Sequence, residues 1–132
     1  MARILIVDDA LFIRHGMKTT LSAVGHEVVA EAENGLDGLR KVARFDPELV
    51  ILDINMPEMD GVRMLEVLRR NHPMTRVLAC SSLVSGPQTQ QLAELGIQGA
   101  LRKPYLPEDL IAAVMMALVS PMEQPAIAQQ TA

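Results

Sequence analysis

The chain has 132 residues, 49% of them apolar, which is enough for one domain with a hydrophobic core and excludes a disordered polypeptide. A formal net charge of −4 argues against a nucleic-acid-binding surface, and a single cysteine excludes a disulfide framework or a cysteine-based zinc site. The first apolar run, at 4–7, is too short for a signal peptide or a membrane span, so we expect a cytoplasmic single-domain protein.

Short apolar segments alternate with amphipathic segments along the chain, which predicts strands alternating with helices. Strands are expected at residues 4–7, 27–32, 49–52, 77–80 and 98–102. Asn34-Gly35 predicts a turn. The first helix is expected to end at Gly25, and a later helix at about 60–70 is expected to expose Arg63, Arg69 and Arg70. Gly86-Pro87 and Pro107 are each expected to begin a further helix. The helical residues expected to face the core are Ile13, Met17, Leu21, Val24, Leu36, Leu39, Ala43, Val62, Leu65, Leu68, Leu92, Ala93, Leu95, Leu110, Val114, Ala117 and Leu118.

The composition of the strands predicts their order in the sheet. The first, third and fourth are the most apolar, which is typical of parallel strands covered on both faces. The second contains Glu27 and Glu31 and the fifth is short and polar, so both are expected at edges. Right-handed crossovers then favour an α/β, flavodoxin-like fold with five parallel strands in the order 2-1-3-4-5. We assign residues 1–120 to this domain and expect 121–132, which lack periodicity, to form a flexible tail.

Polar residues directly follow or end four of the predicted strands. Asp8 and Asp9 follow the first strand, Asp53 the third, Ser81 the fourth and Lys103 the fifth. Open α/β sheets bind ligands beyond the carboxyl ends of their strands, where the strand order reverses. We therefore expect these five side chains to form one site.

Three carboxylates in one site repel one another, so either one of them takes up a proton or a divalent cation binds. A set of oxygen ligands favours Mg²⁺ or Mn²⁺. With a cation bound, Asp53 could keep one oxygen free to attack phosphorus and form an acyl phosphate. Lys103 would help to neutralise the phosphoryl oxygens, and Ser81 would donate a hydrogen bond to one of them.

Four sequence motifs together resemble the receiver domain of bacterial response regulators. They are VDDA at 7–10, LDINMPEMDG at 52–61, the serine that ends the fourth strand and Lys103-Pro104, and the resemblance spans about residues 3–119. The length and the opening RILIVDDALFIR are most similar to the single-domain chemotaxis type. The resemblance implies the same strand order and a cytoplasmic, monomeric phosphoprotein of two-component signal transduction, which is a switch rather than an enzyme.

The resemblance also implies the metal ligands and the phosphodonor. Asp53 matches the phosphoacceptor, and the donor would be a phosphohistidine on a sensor histidine kinase. Asp9 and Asp53 match the direct Mg²⁺ carboxylates, while Asp8 matches the acid that holds a water molecule on the ion. Asn55 matches the residue whose backbone carbonyl binds the metal.

Two further residues match the switching apparatus of the family. Ser81 matches the switch hydroxyl, and Lys103 matches the lysine that pairs with the phosphoryl group, with the peptide before Pro104 expected to be cis. The resemblance implies that a downstream protein binds the face formed by the fourth helix, the fifth strand and the fifth helix.

The sequence departs from the family pattern at two positions. Ala100 stands where the family usually has Tyr or Phe, so an aromatic rotamer cannot carry the signal there. Leu106 stands where a Ser or Thr commonly caps the last helix, and the loss of that oxygen costs about 0.5–2 kcal/mol unless another group replaces it.

Other functions stay open beside a chemotaxis switch. The chain could be a phosphorelay intermediate or a receiver that gates a different partner. An Mg²⁺-dependent aspartyl phosphatase of the haloacid dehalogenase type needs a general acid two residues after its nucleophile, where this chain has Asn55. A flavin binder needs a hydroxyl- and glycine-rich phosphate loop after the first strand, where Asp8 and Asp9 would repel a phosphate. A receiver that has lost phosphorylation is disfavoured because every site residue is present.

Overall fold

The computed structural model describes residues 1–56, 59–82 and 87–122. Within these residues, strands and helices alternate as the sequence predicts. The elements are β1 (Arg3–Val7), α1 (Leu11–Ala23), β2 (Glu27–Ala32), α2 (Gly35–Phe45), β3 (Leu49–Asp53), α3 (Gly61–Asn71), β4 (Arg76–Ser81), α4 (Pro87–Leu95), β5 (Gly99–Arg102) and α5 (Pro107–Val119).

The strands form one parallel sheet in the order β2-β1-β3-β4-β5, which confirms the predicted topology. The inner strands β1, β3 and β4 are almost wholly buried, whereas the edge strands β2 and β5 are partly exposed. The chain passes from β1 to β2 on one side and from β3 to β5 on the other. A crevice therefore opens at the carboxyl ends of β1 and β3.

The core consists of two apolar layers, one on each face of the sheet. Successive strand residues point to opposite faces. Leu5 and Val50 belong to the layer packed against α2, α3 and α4. Ile6 and Ile51 belong to the layer packed against α1 and α5. Because both faces are covered, the inner strands need continuous apolar sequence, and this is the signal that predicted them.

Helix α2 packs through a stripe that includes the predicted Leu39 but otherwise differs from the one predicted by its leucine spacing. Gly35, Gly38 and Val42 are buried, whereas Leu36 is 50% exposed and Ala43 lies at the surface. A Cβ atom at Gly38 would lie 2.8 Å from a methionine methyl group of α3. The two glycines thus allow α2 to approach its neighbours closely, and this contact, rather than hydrophobicity, sets the orientation of the helix.

Two helix ends also differ from the prediction. Asn34 is the N-cap of α2, where its side chain accepts a hydrogen bond of 2.8 Å from Asp37 N, so Asn34-Gly35 begins the helix rather than forming a separate turn. Val24 is the C-cap of α1 and is 47% exposed instead of facing the core. Gly25 follows it with a φ of 93°, a left-handed conformation that glycine adopts without strain.

Arg69 was predicted on the solvated face of α3, but only 6% of it is exposed. Its guanidinium donates to the Gly96 carbonyl from Nε and Nη2, at 3.0 and 2.7 Å, and to the Thr75 carbonyl from Nη1 at 2.6 Å. Nη2 also donates to Gln98 Oε1 at 3.2 Å. Burial lowers the pKa of Arg69 to about 10. The cation therefore joins the end of α3 to the turn between α4 and β5.

The last two helices bury the predicted residues with one exception. Ala93 of α4 is exposed, whereas Leu92 and Leu95 of the same helix are buried. In α5, Leu110, Val114 and Ala117 are buried and Leu118 packs against them at the margin.

At both ends of α5, side chains other than the usual N-cap residue form hydrogen bonds with backbone groups. Leu106 has no side-chain oxygen to cap the helix, but Asp109 Oδ2 accepts a hydrogen bond of 3.0 Å from Leu106 N. At the other end Arg76 Nη1 donates to the Ala117 and Ser120 carbonyls. A cation is favourable there because the helix dipole concentrates partial negative charge at the last turn.

The expected tail at 121–132 lies outside the described residues from 123 onward. Pro57, Glu58 and Gly86 also lie outside them, so the predicted opening of α4 is described only from Pro87. Within the described ranges, no helix is long and apolar enough to span a membrane.

Candidate functional site

The carboxyl ends of β1 and β3 bring three carboxylates together. Asp8 and Asp9 follow β1, Asp53 is the last residue of β3, and ligand oxygens of all three lie within 4.8 Å of one another. Asp8 is 1% and Asp53 is 4% exposed, whereas Asp9 lies at the surface. The site therefore has a buried floor and an open side from which an ion or a phosphodonor can approach.

Lys103 lies between the two buried carboxylates. Its Nζ is 3.1 Å from Asp8 Oδ2 and 3.3 Å from Asp53 Oδ1. The backbone of Lys103 is fixed by a hydrogen bond of 2.9 Å that its N donates to the Ser81 carbonyl, and the following peptide bond to Pro104 is cis, as expected. One ammonium thus offsets part of the repulsion between two acids that are carried on separate strands.

Burial and charge together set the protonation of this cluster. The pKa of Asp53 is raised, first by burial and then by the charge of Asp8, with Lys103 opposing both. Burial lowers the pKa of Lys103, but its hydrogen bond to Asp8 and the charges of Asp8 and Asp53 outweigh that effect, so the net shift is upward. The lysine stays charged, while the carboxylates retain a repulsion that a bound cation would relieve.

The turn after β1 is held by hydrogen bonds between side chains and the backbone. Asp8 Oδ1 accepts a hydrogen bond of 2.9 Å from Ala10 N, and the Asp8 carbonyl accepts one of 2.6 Å from Arg14 Nη1. Arg14 is itself oriented by Glu31 at the end of β2, with 3.2 Å between Arg14 Nε and Glu31 Oε1. Asp8 is thereby fixed as a constituent of the site rather than as the N-cap of α1, which is Ala10.

Asn55 and Gly61, which follow β3, lie close to Asp53. Asn55 N donates to Asp53 Oδ1 at 3.1 Å, and Gly61 N donates to the Ile54 carbonyl at 3.0 Å. A Cβ atom at Gly61 would lie 2.6 Å from both the Asp53 carbonyl oxygen and Ile54 Cα. Only glycine fits there, so Gly61 brings the start of α3 against the backbone that carries the acid.

Ser81 meets Asn55 across the mouth of the site. The Asn55 side-chain amide donates to Ser81 Oγ at 3.3 Å. Asn55 contacts both Asp53 and Ser81. The six residues singled out from the sequence therefore lie together in one site. Their assigned roles, including that of the Asn55 carbonyl, stay predictions.

The residues present suit a hard divalent cation. Asp8, Asp9 and Asp53 offer carboxylate oxygens, with no nitrogen or sulfur ligand in the cluster. Such a donor set favours Mg²⁺ or Mn²⁺, with water completing the coordination. Lys103 offsets only part of the negative charge of the three carboxylates, which also favours a divalent cation.

A groove of about 540 Å³ beside the site was not predicted from the sequence. It lies between α1 and the β5–α5 loop, and its walls include Phe12, Tyr105 and Leu110, with Lys103 at the end nearest the acids. Phe12 is 86% exposed. The available signal was the pair of apolar residues Leu11-Phe12 at the start of the first helix, where a helix exposed to water usually begins with polar residues.

Comparison with known proteins gives one consistent result. The model of the response regulator receiver domain matches residues 4–115. The chain is 37% identical over 116 residues to the chemotaxis protein CheY of Bacillus subtilis, covering 88% of this chain and 97% of that protein. It is 34% identical over 103 residues to a protein-glutamate methylesterase/protein-glutamine glutaminase of Archaeoglobus fulgidus, covering 77% of this chain but 30% of that longer protein.

The fold has counterparts among solved structures. The structure of the chemotaxis protein CheY4 of Vibrio cholerae superposes with a TM-score of 0.83 at 32% sequence identity, over 89% of this chain and 99% of that one. The flavodoxin-like order of five parallel strands is common to both.

Proposed function

The chain belongs to the family of response regulator receiver domains, and we propose that it is a phosphorylation-activated switch that accepts a phosphoryl group on Asp53 with the help of Mg²⁺. The observation that supports this most strongly is the meeting of Asp53 with Asp8, Asp9 and Lys103 at one edge of the sheet. Receiver domains take the phosphoryl group from histidine kinases and act on downstream proteins. The kinase and the downstream partner of this chain belong to the proposal.

Phosphoryl transfer to Asp53 needs a free carboxylate oxygen and an approach path in line with the bond that breaks. A carboxylate oxygen of Asp53 forms the new bond to phosphorus, the bond between phosphorus and the histidine nitrogen breaks, and its electron pair stays on the imidazole. Mg²⁺ bound by Asp9, Asp53 and the Asn55 carbonyl, with Asp8 behind a water molecule, would supply positive charge for the phosphoryl oxygens. Asp9 faces the open side, from which the donor must enter.

Lys103 and Ser81 are the residues that would respond to the phosphoryl group on Asp53. Lys103 pairs with Asp8 and Asp53 before phosphorylation, and the phosphoryl oxygens would compete for its ammonium. Phosphorylation changes the charge at Asp53 from one to about two negative units. Because Lys103 N is bonded to the Ser81 carbonyl, any shift of Lys103 is transmitted to the ends of both β4 and β5.

The output surface is proposed to be the face formed by α4, β5 and α5. Ala100 is exposed on β5, and Met115 and Met116 of α5 are 59% and 68% exposed, so neither methionine belongs to the core. Exposed methionines form adaptable contact surfaces for partner proteins. With alanine at position 100, either the movement of α4 and the adjoining loops carries the signal or the output surface differs from this face.

The groove between α1 and the β5–α5 loop is proposed to receive the phosphohistidine domain of the kinase. Lys103 lines both this groove and the acidic cluster, so the groove is continuous with the reaction site. A phosphohistidine can reach Asp53 only if the donor protein covers the rim of the site. The exposed Phe12 offers an apolar anchor for that contact.

Chemotaxis is the pathway we propose, since the chain matches nearly the whole length of a chemotaxis protein. A phosphorelay step or a different gated partner is the alternative. Single-domain receivers of the CheY type are not enzymes, whereas longer relatives such as the methylesterase are named as enzymes and share only part of their length with this chain. We propose a monomeric, cytoplasmic switch without enzymatic activity of its own beyond transfer to Asp53.

The decisive experiment is intact mass spectrometry after incubation with acetyl phosphate, with and without Mg²⁺. We expect a single phosphoryl adduct that requires Mg²⁺ and is absent from Asp53→Asn. Asp46→Asn is the matched control, because Asp46 is an exposed helix C-cap with a φ of 45°, which asparagine tolerates. No adduct on the parent protein, or an adduct retained by Asp53→Asn, would refute the proposal.

A further inference from the structure

The side chain of Asn55 makes a contact for which the metal-binding role of its carbonyl gives no reason. Its backbone N donates to Asp53 Oδ1, while its amide reaches across the mouth of the site to Ser81 Oγ at 3.3 Å. A backbone carbonyl could be supplied at this position by any residue. The side chain therefore needs an explanation of its own.

The direction of this hydrogen bond constrains the Ser81 hydroxyl. An amide N–H can only donate, so Ser81 Oγ accepts from Asn55 and one of its lone pairs is occupied. The hydroxyl proton must then point away from Asn55. Oγ itself is held on the side of the site where Asn55 N already contacts the Asp53 carboxylate.

Ser81 is also held through its main chain. Its carbonyl accepts from Lys103 N at 2.9 Å, and the preceding residue, Cys80, is paired in register with Asp53. The backbone position of Ser81 is thus fixed by β3 and β5. Asn55 also contacts the side chain of Ser81 directly, at Oγ.

We propose that the Asn55 side chain is a positioning residue, which sets the Ser81 hydroxyl as a hydrogen-bond donor to the phosphoryl group arriving at Asp53. This inference rests on the proposed function and adds to it a second role for Asn55. The donor is oriented before the reaction, so little reorganisation is needed when charge develops on the phosphoryl oxygens. The side chain of Asn55, as distinct from its main chain, acts on the reaction only through Ser81.

The test is a double-mutant cycle on the rate of phosphorylation by acetyl phosphate at saturating Mg²⁺. Asn55→Ala is expected to slow the reaction of the parent about two- to tenfold, the range that one uncharged hydrogen bond supports. In a Ser81→Ala background the same substitution should have no further effect, because its target is gone. Additive effects of the two substitutions would overturn the inference.

A Ser81→Thr background is the matched control, since threonine keeps the hydroxyl. The Asn55→Ala effect is expected to persist there and to vanish only with Ser81→Ala. The Mg²⁺ affinity of Asn55→Ala should equal that of the parent, because a backbone carbonyl remains. A loss of Mg²⁺ affinity that accounts for the slower reaction would assign the effect to the metal site and overturn the inference.

Different results would refute the proposed function and the positioning role of Asn55. If the parent forms no adduct, the proposed function is refuted and this inference with it. If the parent reacts normally and the cycle is additive, the receiver chemistry stands and only the positioning role of Asn55 is refuted.

Discussion

Single residues determine the chemistry of this site through burial. Asp8 and Asp53 are removed from water, and one lysine is shared between them. The raised pKa of Asp53 means that its ionised form weakens the fold at neutral pH, since the folded state holds the proton more tightly than the unfolded chain. The protein therefore maintains a charged site at some expense of stability, as functional sites commonly do.

His26 provides a pH-dependent contribution to stability that is independent of the site. Its Nδ1 accepts a hydrogen bond of 3.1 Å from Ala2 N, which needs a neutral ring. Its pKa is lowered from 6.5, first by burial and then by the amino terminus, with Glu48 opposing. The unfolded state binds the proton more readily, so stability should fall as the pH drops below about 6.5.

We predict that His26→Asn reduces this loss of stability. An asparagine carbonyl can accept from Ala2 N but does not titrate. Urea unfolding of the parent and the variant at pH 7.5 and 5.5 measures the difference, with His15→Asn, an exposed position, as the control. Equal pH dependence in parent and His26→Asn would show that the histidine contributes nothing.

At the residue scale, the sequence predicted what lies at strand ends and missed what depends on distant contacts. Asp53 and Lys103 could be placed because each follows a strand that the pattern identifies. The burial of Arg69 and the hydrogen bond of His26 could not, because their partners lie at least 24 residues away or across a turn. No local pattern encodes such partners.

Among the elements, α4 is held at its C-terminal end by Arg69. Gly96 ends the helix with a φ of 91°, and its carbonyl accepts two hydrogen bonds from Arg69. Leu92 and Leu95 provide its buried side chains. This arrangement suits a helix that pivots about its C-terminal end.

We predict that Arg69→Met lowers the free energy of unfolding by about 1–3 kcal/mol, because it leaves the buried Thr75 carbonyl and the partly buried Gly96 carbonyl without their arginine donor. Hydrogen exchange should accelerate most in the turn before β5. Arg70→Met, on the exposed side of the same helix, is the control and should change stability by less than about 0.5 kcal/mol. Similar losses in both variants would contradict a specific role for Arg69.

The elements were predictable in number and type, but less so in orientation. Strand positions followed from apolar runs, whereas the stripe predicted for α2 was correct only at Leu39, because Gly35 and Gly38 pack by being small. Hydrophobic periodicity assigns large residues to the core, and a close helix contact made by glycine is invisible to it.

For the whole molecule, the strand order followed from composition, since only β2 and β5 are polar enough for edges. The order brings two separate surfaces to the same reaction site. One is the groove at α1, and the other is the face of α4, β5 and α5. The groove could not be predicted, because it depends on how far apart α1 and the β5–α5 loop lie.

The two surfaces should be separable by substitution. We predict that Phe12→Ser slows transfer from a phosphorylated histidine-kinase domain about tenfold, the effect of losing one apolar anchor, and leaves the reaction with acetyl phosphate unchanged. Radiolabel transfer and intact mass measure the two rates. Val119→Ser, which removes a similarly exposed apolar side chain at the far end of α5, is the control and should change neither.

Ala100→Tyr tests the other surface in the same assays. It should leave both phosphorylation rates unchanged and alter the affinity for the downstream protein, as measured by titration calorimetry. If Phe12→Ser slowed both donors equally, the groove would belong to the reaction site itself and not to recognition of the kinase.

Tyr105 is the only tyrosine in a chain without tryptophan, and it lines the groove together with Lys103. The ultraviolet emission of the protein therefore comes from one position beside the site. Any change in that emission on addition of Mg²⁺ or a phosphodonor without aromatic groups therefore originates there and needs no attached dye. The scarcity of aromatic residues, which leaves the core to aliphatic side chains, thus provides the protein with a built-in optical reporter.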